Sequence, residues 1–179
     1  MINKRAVDID SPFFLGERAM RRVFLVILAV LATACLPEKT DGSRNGLSFE
    51  KQSVRIVRQD LPDIGLTVEI ADTNAKRARG LMYRSELADD AGMLFLFPVR
   101  KRISMWMANT IVPLDMIFID EYGKVREIVE NTVPFSRDEV RSKDSVSAVL
   151  EIKAGQSKRL NIRSGDVIVH PFFKLEKAK

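Results

Sequence analysis

The sequence predicts a mainly β domain with one or two short helices, folded as a sandwich or a barrel. Three observations support this class. Apolar residues alternate or run continuously over segments of strand length, turn residues separate these segments, and helical periodicity is scarce. The span from Leu47 to Phe173, about 127 residues, is long enough to bury a single core. We therefore expect one β domain over residues 47–173.

The first predicted strands differ in how many faces they bury. In "LTVEIAD" (66–72), Leu66, Val68 and Ile70 share one face, which is typical of a half-buried strand. The segments "MLFLF" (93–97) and "DMIFID" (115–120) are continuous apolar runs, which indicate strands covered on both faces. These two runs should lie in the middle of the sheet.

Further strands follow a predicted hairpin. "DEYGKV" (120–125) joins the preceding run to "VREIV" (125–129), with Gly123 available for a positive φ. Two more strands are predicted in "SAVLEIKAG" (147–155) and "GDVIVHPFF" (165–173).

Helix signals are short. Thr73 can cap a segment "NAKRARGLMYR" (74–84), and Gly155 precedes a turn in "QSKRLN" (156–161). The long segment "ANTIVPLD" (108–115) contains a proline and an Asn-Thr pair, so we expect a loop between two strands there.

The N-terminal segment has the pattern of an export signal. Arg21 and Arg22 precede an uncharged run from Val23 to Ala34, which as a helix would reach only about 18 Å, short of a hydrocarbon layer about 30 Å thick. A signal peptide over residues 1–34 is therefore predicted. Residues 1–19 contain acids and a proline, so Met20 rather than Met1 is a candidate start, and a twin-arginine signal is a further alternative.

Cys35 is the single cysteine of the chain and directly follows the apolar run, where a bacterial lipoprotein signal carries the thiol that is lipidated. Cleavage by an ordinary signal peptidase after Ala34 is the alternative. We expect a flexible tether over residues 35–46 and a tail over 174–179. The predicted location is periplasmic or lipid-anchored at the membrane, at the outer rather than the inner membrane.

Composition excludes several function classes. The chain is 46% apolar and 30% charged with a net charge of +5, and removal of residues 1–34 leaves a net charge of +3, which is no nucleic-acid footprint. One cysteine allows no internal disulfide, and His170 with Cys35 cannot supply the usual zinc ligands. No cofactor is expected. A weak metal alternative is a Cu(I) site of thioethers at Met105 and Met107, against which core packing is the simpler interpretation.

The segment "ISMWMANTIVPLDMIF" (103–118) places polar side chains in an apolar run. Buried polar groups need partners, so these side chains either stabilise a turn or face a ligand. If an arginine near "GLMY" reaches Asp115, the result is an aromatic-rimmed pocket for a small hydroxylated or anionic ligand. The candidate binding residues are Arg79, Arg84, Trp106, Asn109, Thr110 and Asp115.

Three blocks of the sequence, in order, strongly resemble the uncharacterised domain of unknown function family 192 of bacteria and archaea. They are Arg-Gly-Leu-Met at 79–82 with Arg84, Gly-Met-Leu-Phe at 92–95, and the segment from Trp106 to Asp115. The resemblance implies a jelly-roll-like β-sandwich, often exported, with no established activity. Residues 131–145 depart from the family pattern, in which a loop with proline and cysteine is common.

The function that these observations favour is a non-catalytic domain that binds a small ligand or an envelope partner. One alternative is an enzyme or carbohydrate-active accessory protein that uses Asp115 with an arginine. A second is Cu(I) handling by methionines. A lipid on Cys35 would supply the membrane contact.

Overall fold

The computed structural model describes residues 46–174. The predicted signal peptide, its alternative start at Met20, the lipidation site at Cys35, nearly all of the tether and residues 175–179 lie outside the described residues. Within the described residues, neither helix has the length and apolar character that a membrane crossing requires.

Nine strands and two short helices form the described part. The strands are β1 (Lys51–Arg58), β2 (Leu61–Ala71), β3 (Ala91–Lys101), β4 (Ser104–Met105), β5 (Leu114–Ile119), β6 (Val125–Val129), β7 (Val140–Arg141), β8 (Val146–Lys153) and β9 (Val167–Val169). The helices are α1 (Asn74–Arg79) and α2 (Gln156–Arg159). The mainly β class is confirmed, whereas the sandwich or jelly-roll arrangement stays a prediction.

Seven strands form one sheet in the order β6-β5-β8-β3-β2-β1-β9, and β4 pairs with β7 in a separate ribbon. The sheet curls, so that its two edges approach each other. Val125 donates its backbone N–H to the carbonyl of Asp166 at 2.8 Å, and Ile168 donates to the carbonyl of Gly123 at 2.7 Å. Gly123 has a φ of 83°, as the hairpin signal predicts.

The curl encloses an inner cluster of apolar side chains, to which all seven strands of the large sheet contribute. It contains valine, isoleucine, leucine, alanine and phenylalanine, and no methionine. We call this set the inner cluster; its buried members are Val54, Ile56, Leu66, Val68, Ile70, Leu94, Leu96, Ile117, Ile119, Val125, Ala148, Leu150, Ile152, Ile162, Ile168 and Phe173.

A second apolar cluster covers the other face of the sheet, and we call it the outer cluster. Loop residues pack there onto β3, β5 and β8; the buried members are Ala71, Leu81, Leu87, Met93, Phe95, Ile103, Met107, Val112, Leu114, Met116, Phe118, Val146 and Val149. All six residues of β5 are buried, which confirms the prediction of a strand covered on both faces.

The helices are shorter than the sequence suggests. Thr73 caps α1 as predicted, because its Oγ1 accepts the backbone N–H of Lys76 at 3.2 Å. The helix ends at Arg79 rather than near Arg84, since Gly80 takes a φ of 48° and turns the chain. The residues after Gly80 are therefore free to form a loop over the outer cluster.

Candidate functional site

Asp115 is fully buried near the start of β5, and its carboxylate is satisfied by the fold itself. Oδ1 accepts the backbone N–H of Asn131 at 2.9 Å. Oδ2 accepts the backbone N–H of Ser157 at 3.0 Å and its hydroxyl at 2.6 Å. Asp115 thus joins β5 to the loop after β6 and to α2. The pocket hypothesis required an arginine to reach Asp115, and the structure shows these three donors at its carboxylate instead.

Arg84 forms its ion pair elsewhere. Its two terminal nitrogens donate to the two carboxylate oxygens of Glu69 at 2.7 and 2.6 Å, a bidentate arrangement on the outer face of β2. The ring centroid of Phe49 lies 6.0 Å from the same guanidinium. The hypothesis that joins Asp115 to an arginine therefore lacks its geometry.

Three loops meet above the outer cluster, and we call the area they form the loop surface (residues 80–84, 106–112 and 131–136). Backbone hydrogen bonds connect them directly. Tyr83 donates to the carbonyl of Asn109 at 2.9 Å, and Phe135 donates to the carbonyl of Thr110 at 3.1 Å. These contacts fix the relative positions of the loops without a sheet between them.

The backbone of the loop surface is strained. Tyr83, Asn109, Asn131 and Phe135 have positive φ values between 54° and 64°. Asparagine tolerates this region, but for tyrosine and phenylalanine it costs about 1 to 3 kcal/mol each and is uncommon. Backbone strain of this kind concentrates at functional sites.

The loop surface also exposes large apolar side chains. Tyr83 is 59% exposed, Trp106 55% and Phe135 60%, and Ile111 and Val133 are exposed as well. The guanidinium of Arg79 lies 4.8 Å from the centroid of the Tyr83 ring. The structure therefore presents an aromatic surface with a cation against it.

The six residues predicted from the sequence separate into two groups. Arg79, Trp106 and Asn109 belong to the loop surface or border it, and the side-chain amide of Asn109 lies 3.9 Å from the sulfur of Met82. Thr110 is buried, and its hydroxyl donates to the carbonyl of Ala108 at 3.4 Å. Thr110, Arg84 and Asp115 form the second group, because their polar groups form hydrogen bonds or an ion pair with other parts of the domain.

Tyr83 and Phe135 were not among the predicted residues. Their exposure depends on a left-handed backbone, which a sequence pattern does not show for an aromatic residue. The one available signal was an aromatic residue between turn formers, as in "VPFSR" (133–137).

Glu151 was also missed. It lies on β8 in register with Met93 of β3 and Met116 of β5, so the three side chains share the outer face. Among the described residues the Glu151 carboxyl has neither a hydrogen bond nor an ion pair, although the residue is only 4% exposed. Burial raises the pKa of this carboxyl to about 8.

Met105 and Met107, the two residues of the Cu(I) alternative, have different environments. Met105 is half-buried on β4, whereas Met107 follows the end of that strand and is buried. The hydroxyl of Thr132 donates to the sulfur of Met107 at 3.2 Å. Because β4 ends at Met105, the two methionines do not share a strand face.

His170 has a partner at both ring nitrogens. Nε2 lies 2.7 Å from the amide oxygen of Gln52, and Nδ1 accepts the backbone N–H of Phe172 at 3.2 Å. This pattern assigns the ring proton to Nε2. Burial lowers the pKa of the ring. The geometry is that of a structural histidine.

A groove of about 510 Å³ runs beside the Arg84–Glu69 pair. Most of its charged side chains form ion pairs with each other. Lys153 pairs with Asp89 at 2.9 Å, and Arg84 pairs with Glu69 at 2.6 Å. Compared with this groove, the loop surface exposes more large aromatic and apolar side chains. We therefore treat the loop surface as the primary candidate.

A family model for DUF192, described as "Uncharacterized ACR", matches residues 56–170, well over half of the chain. The chain belongs to the DUF192 family. A UPF0127 protein from Thermococcus gammatolerans is 30% identical over 103 residues, which are 56% of this chain and 64% of that protein. The matched region thus spans less than two thirds of that relative.

Two solved structures resemble this DUF192 domain. One is a Sinorhizobium meliloti protein named a "putative transcription regulator", with a TM-score of 0.67 and 43% identity, covering 69% of this chain and 95% of its own. The other is a protein of unknown function from Novosphingobium aromaticivorans, with a TM-score of 0.65 and 32% identity, covering 70% of this chain and 94% of its own. The family and the fold are thereby shown, and neither structure supplies an activity.

Proposed function

We propose that this protein is a non-catalytic binding domain of the bacterial envelope, and that its loop surface holds a small hydroxylated ligand of the saccharide class. The observation that carries the proposal is the coincidence of exposed aromatic rings with a strained backbone at Tyr83 and Phe135. A left-handed aromatic residue usually gains core packing in return. Here more than half of each residue stays exposed, and the ring of Tyr83 contacts the Arg79 guanidinium rather than the core, so the strain gains little packing within the domain.

The chemistry of the surface suits a sugar ring. Aromatic faces such as those of Tyr83 and Trp106 can cover the apolar C–H face of a saccharide. The amide of Asn109 and the guanidinium of Arg79 supply hydrogen-bond donors for hydroxyl or acidic groups. The backbone bonds between the loops keep these groups in place before the ligand arrives, which lowers the entropy cost of binding.

The cellular address is part of the proposal. The basic pair Arg21-Arg22, the short apolar run and Cys35 support export followed by lipidation, with the tether lifting the domain from the membrane. An envelope location would place the loop surface among glycans. An envelope protein is the alternative occupant of the same surface.

Neither catalysis nor DNA binding has comparable support. Asp115 is sealed in the fold. The name of the Sinorhizobium relative suggests a nucleic-acid role, yet basic side chains of this chain such as Arg100 and Lys143 pair with Glu121 and Glu127 at 3.2 and 3.0 Å. These pairs leave less free positive charge for phosphates.

The experiment uses the fluorescence of Trp106, the single tryptophan of the chain. The purified protein is titrated with the tetramer of N-acetylglucosamine, and its co-sedimentation with peptidoglycan sacculi is measured in parallel. We expect a saturable change in emission, and retention on the sacculi.

The test variants are Tyr83→Asn and Phe135→Asn, because asparagine removes the ring and tolerates the left-handed backbone. Both should unfold at or above the wild-type temperature while binding falls at least tenfold. Tyr122→Ala is the matched control, since Tyr122 is an exposed aromatic residue at the hairpin beyond the opposite end of β5. Absence of saturable binding, or equal loss in all three variants, would contradict the proposal.

A further inference from the structure

The methionines of the domain are distributed unevenly. The inner cluster contains none, whereas Met93, Met107 and Met116 are fully buried in the outer cluster, and Met105 packs against it. Methionine fills irregular space, and the outer cluster, where loops pack onto the sheet, is the more irregular of the two. Thioether sulfurs are thus collected on one face of the sheet.

Glu151 stands in the middle of this face. Strand pairing sets it opposite Met93 on one side and opposite Met116 on the other. Side chains in register on adjacent strands have Cβ atoms about 4.5 to 5.5 Å apart. The three rotatable bonds of methionine allow both sulfurs to turn toward the carboxyl group.

The carboxyl of Glu151 has no partner among the described residues, yet it is not sealed. The residue is 4% exposed, and no fully buried side-chain oxygen or nitrogen without a hydrogen-bond partner is found in the described part of the chain. The oxygens of Glu151 therefore retain a small contact with solvent. A buried carboxyl without a partner is costly, which points to a ligand that completes it.

We propose that Met93, Met116 and Glu151 form a binding site for a soft monovalent cation, Cu(I) or its analogue Ag(I). Thioethers are ligands that select Cu(I) over harder metals. One carboxylate with one monovalent cation is neutral, which suits a buried position. No group of three or more His, Cys, Asp or Glu side chains that could hold a metal occurs within residues 46–174, so a harder divalent ion has fewer suitable ligands.

Met107 is a weaker candidate ligand than its neighbours. Its sulfur already accepts a hydrogen bond from Thr132, whereas Met93 and Met116 flank the carboxylate directly. Met107 therefore supplies a matched control with the same burial and the same face of the sheet.

The test measures the competition for Cu(I) between the full chain and a chromophoric chelator. It is carried out under anaerobic conditions. All proteins carry Cys35→Ser, which removes the single thiol of the chain as a competing ligand. We expect one Cu(I) per chain, and X-ray absorption should show sulfur scatterers with an oxygen or nitrogen neighbour.

Met93→Leu, Met116→Leu and Glu151→Gln should each weaken the affinity at least tenfold, whereas Met107→Leu should leave it unchanged. Leucine preserves the core volume, and melting temperatures verify that each variant is folded. The proposal is overturned if the parent protein takes no Cu(I) from the chelator. It is equally overturned if Met107→Leu weakens binding as much as the other variants. Saccharide binding is measured separately, so the Cu(I) proposal and the saccharide proposal can each fail without the other.

Discussion

Replacing Asp115 with alanine should remove a large part of the folding stability of the domain. The substitution leaves the backbone N–H groups of Asn131 and Ser157 and the hydroxyl of Ser157 without their acceptor. Each buried donor without a partner costs about 1 to 3 kcal/mol, so the expected loss for three donors is about 3 to 9 kcal/mol. A domain is typically stable by about 5 to 15 kcal/mol, so the variant should be close to unfolding.

Two milder variants grade this effect. Asp115→Asn keeps one acceptor oxygen but turns an NH₂ group toward a donor, which should cost about half as much. Ser157→Ala removes the hydroxyl donor alone and should cost about 1.5 kcal/mol. Urea unfolding followed by Trp106 emission measures all three free energies. A loss below about 1 kcal/mol for Asp115→Ala would refute the structural role derived from these contacts.

Three further outcomes follow from buried charge and tight turns. In metal-free protein, the raised pKa of Glu151 means that the folded state binds its proton more tightly, so stability should fall by about 4 to 5 kcal/mol as the pH rises from about 4 to about 9. Urea unfolding across this range should show a flatter profile for Glu151→Gln; an identical slope would contradict the burial argument. Gly123→Ala would place a Cβ 2.3 Å from a backbone carbonyl oxygen at a φ of 83°, which should cost about 2 to 4 kcal/mol of stability. Gly65→Ala is the control, because a Cβ at Gly65 meets open space and should not lower the stability. Equal melting temperatures for the two variants would contradict this prediction. Arg84→Met should lower the stability by about 2 kcal/mol in a thermal melt, because it leaves Glu69 without its bidentate partner. Adding Glu69→Gln to this variant should recover part of the lost stability. No recovery would show that the loss of the ion pair is not the cause.

The sequence was most informative where one physical signal dominated. The apolar run at 115–120 indicated a strand covered on both faces, and every residue of β5, which spans Leu114–Ile119, is buried. Thr73 and Gly123 were identified as a helix cap and a turn, because their local geometry depends on few neighbours. Strand β1 went unmarked, although "SVRIV" (53–57) alternates in the same manner as β2.

The candidate site was less predictable because it depends on distant contacts. Asp115 was correctly singled out as a polar group that needs partners, but its partner Ser157 lies 42 positions further along the chain. Nothing in the spacing favours that serine over an arginine. The predicted aromatic rim named Trp106 but neither Tyr83 nor Phe135, two exposed residues whose left-handed backbone occurs where three loops meet.

Glu151 shows a third reason why the sequence did not predict a residue of interest. In "AVLEI" (148–152) a glutamate in an alternating strand is ordinarily a solvent-facing residue. It is buried here because the loops after α1 and β4 cover the outer face with side chains such as Leu81 and Met107. The sequence pattern of a strand does not record what covers it.

We propose the loop surface, and not Asp115, as the place where this DUF192 domain binds its ligand. The most direct measurement is a map of backbone amide NMR shifts in labelled protein on addition of the N-acetylglucosamine tetramer. The largest changes should fall at Tyr83, Asn109 and Phe135 and at the indole N–H of Trp106. Changes concentrated at the hairpin around Tyr122, or no changes at all, would contradict it.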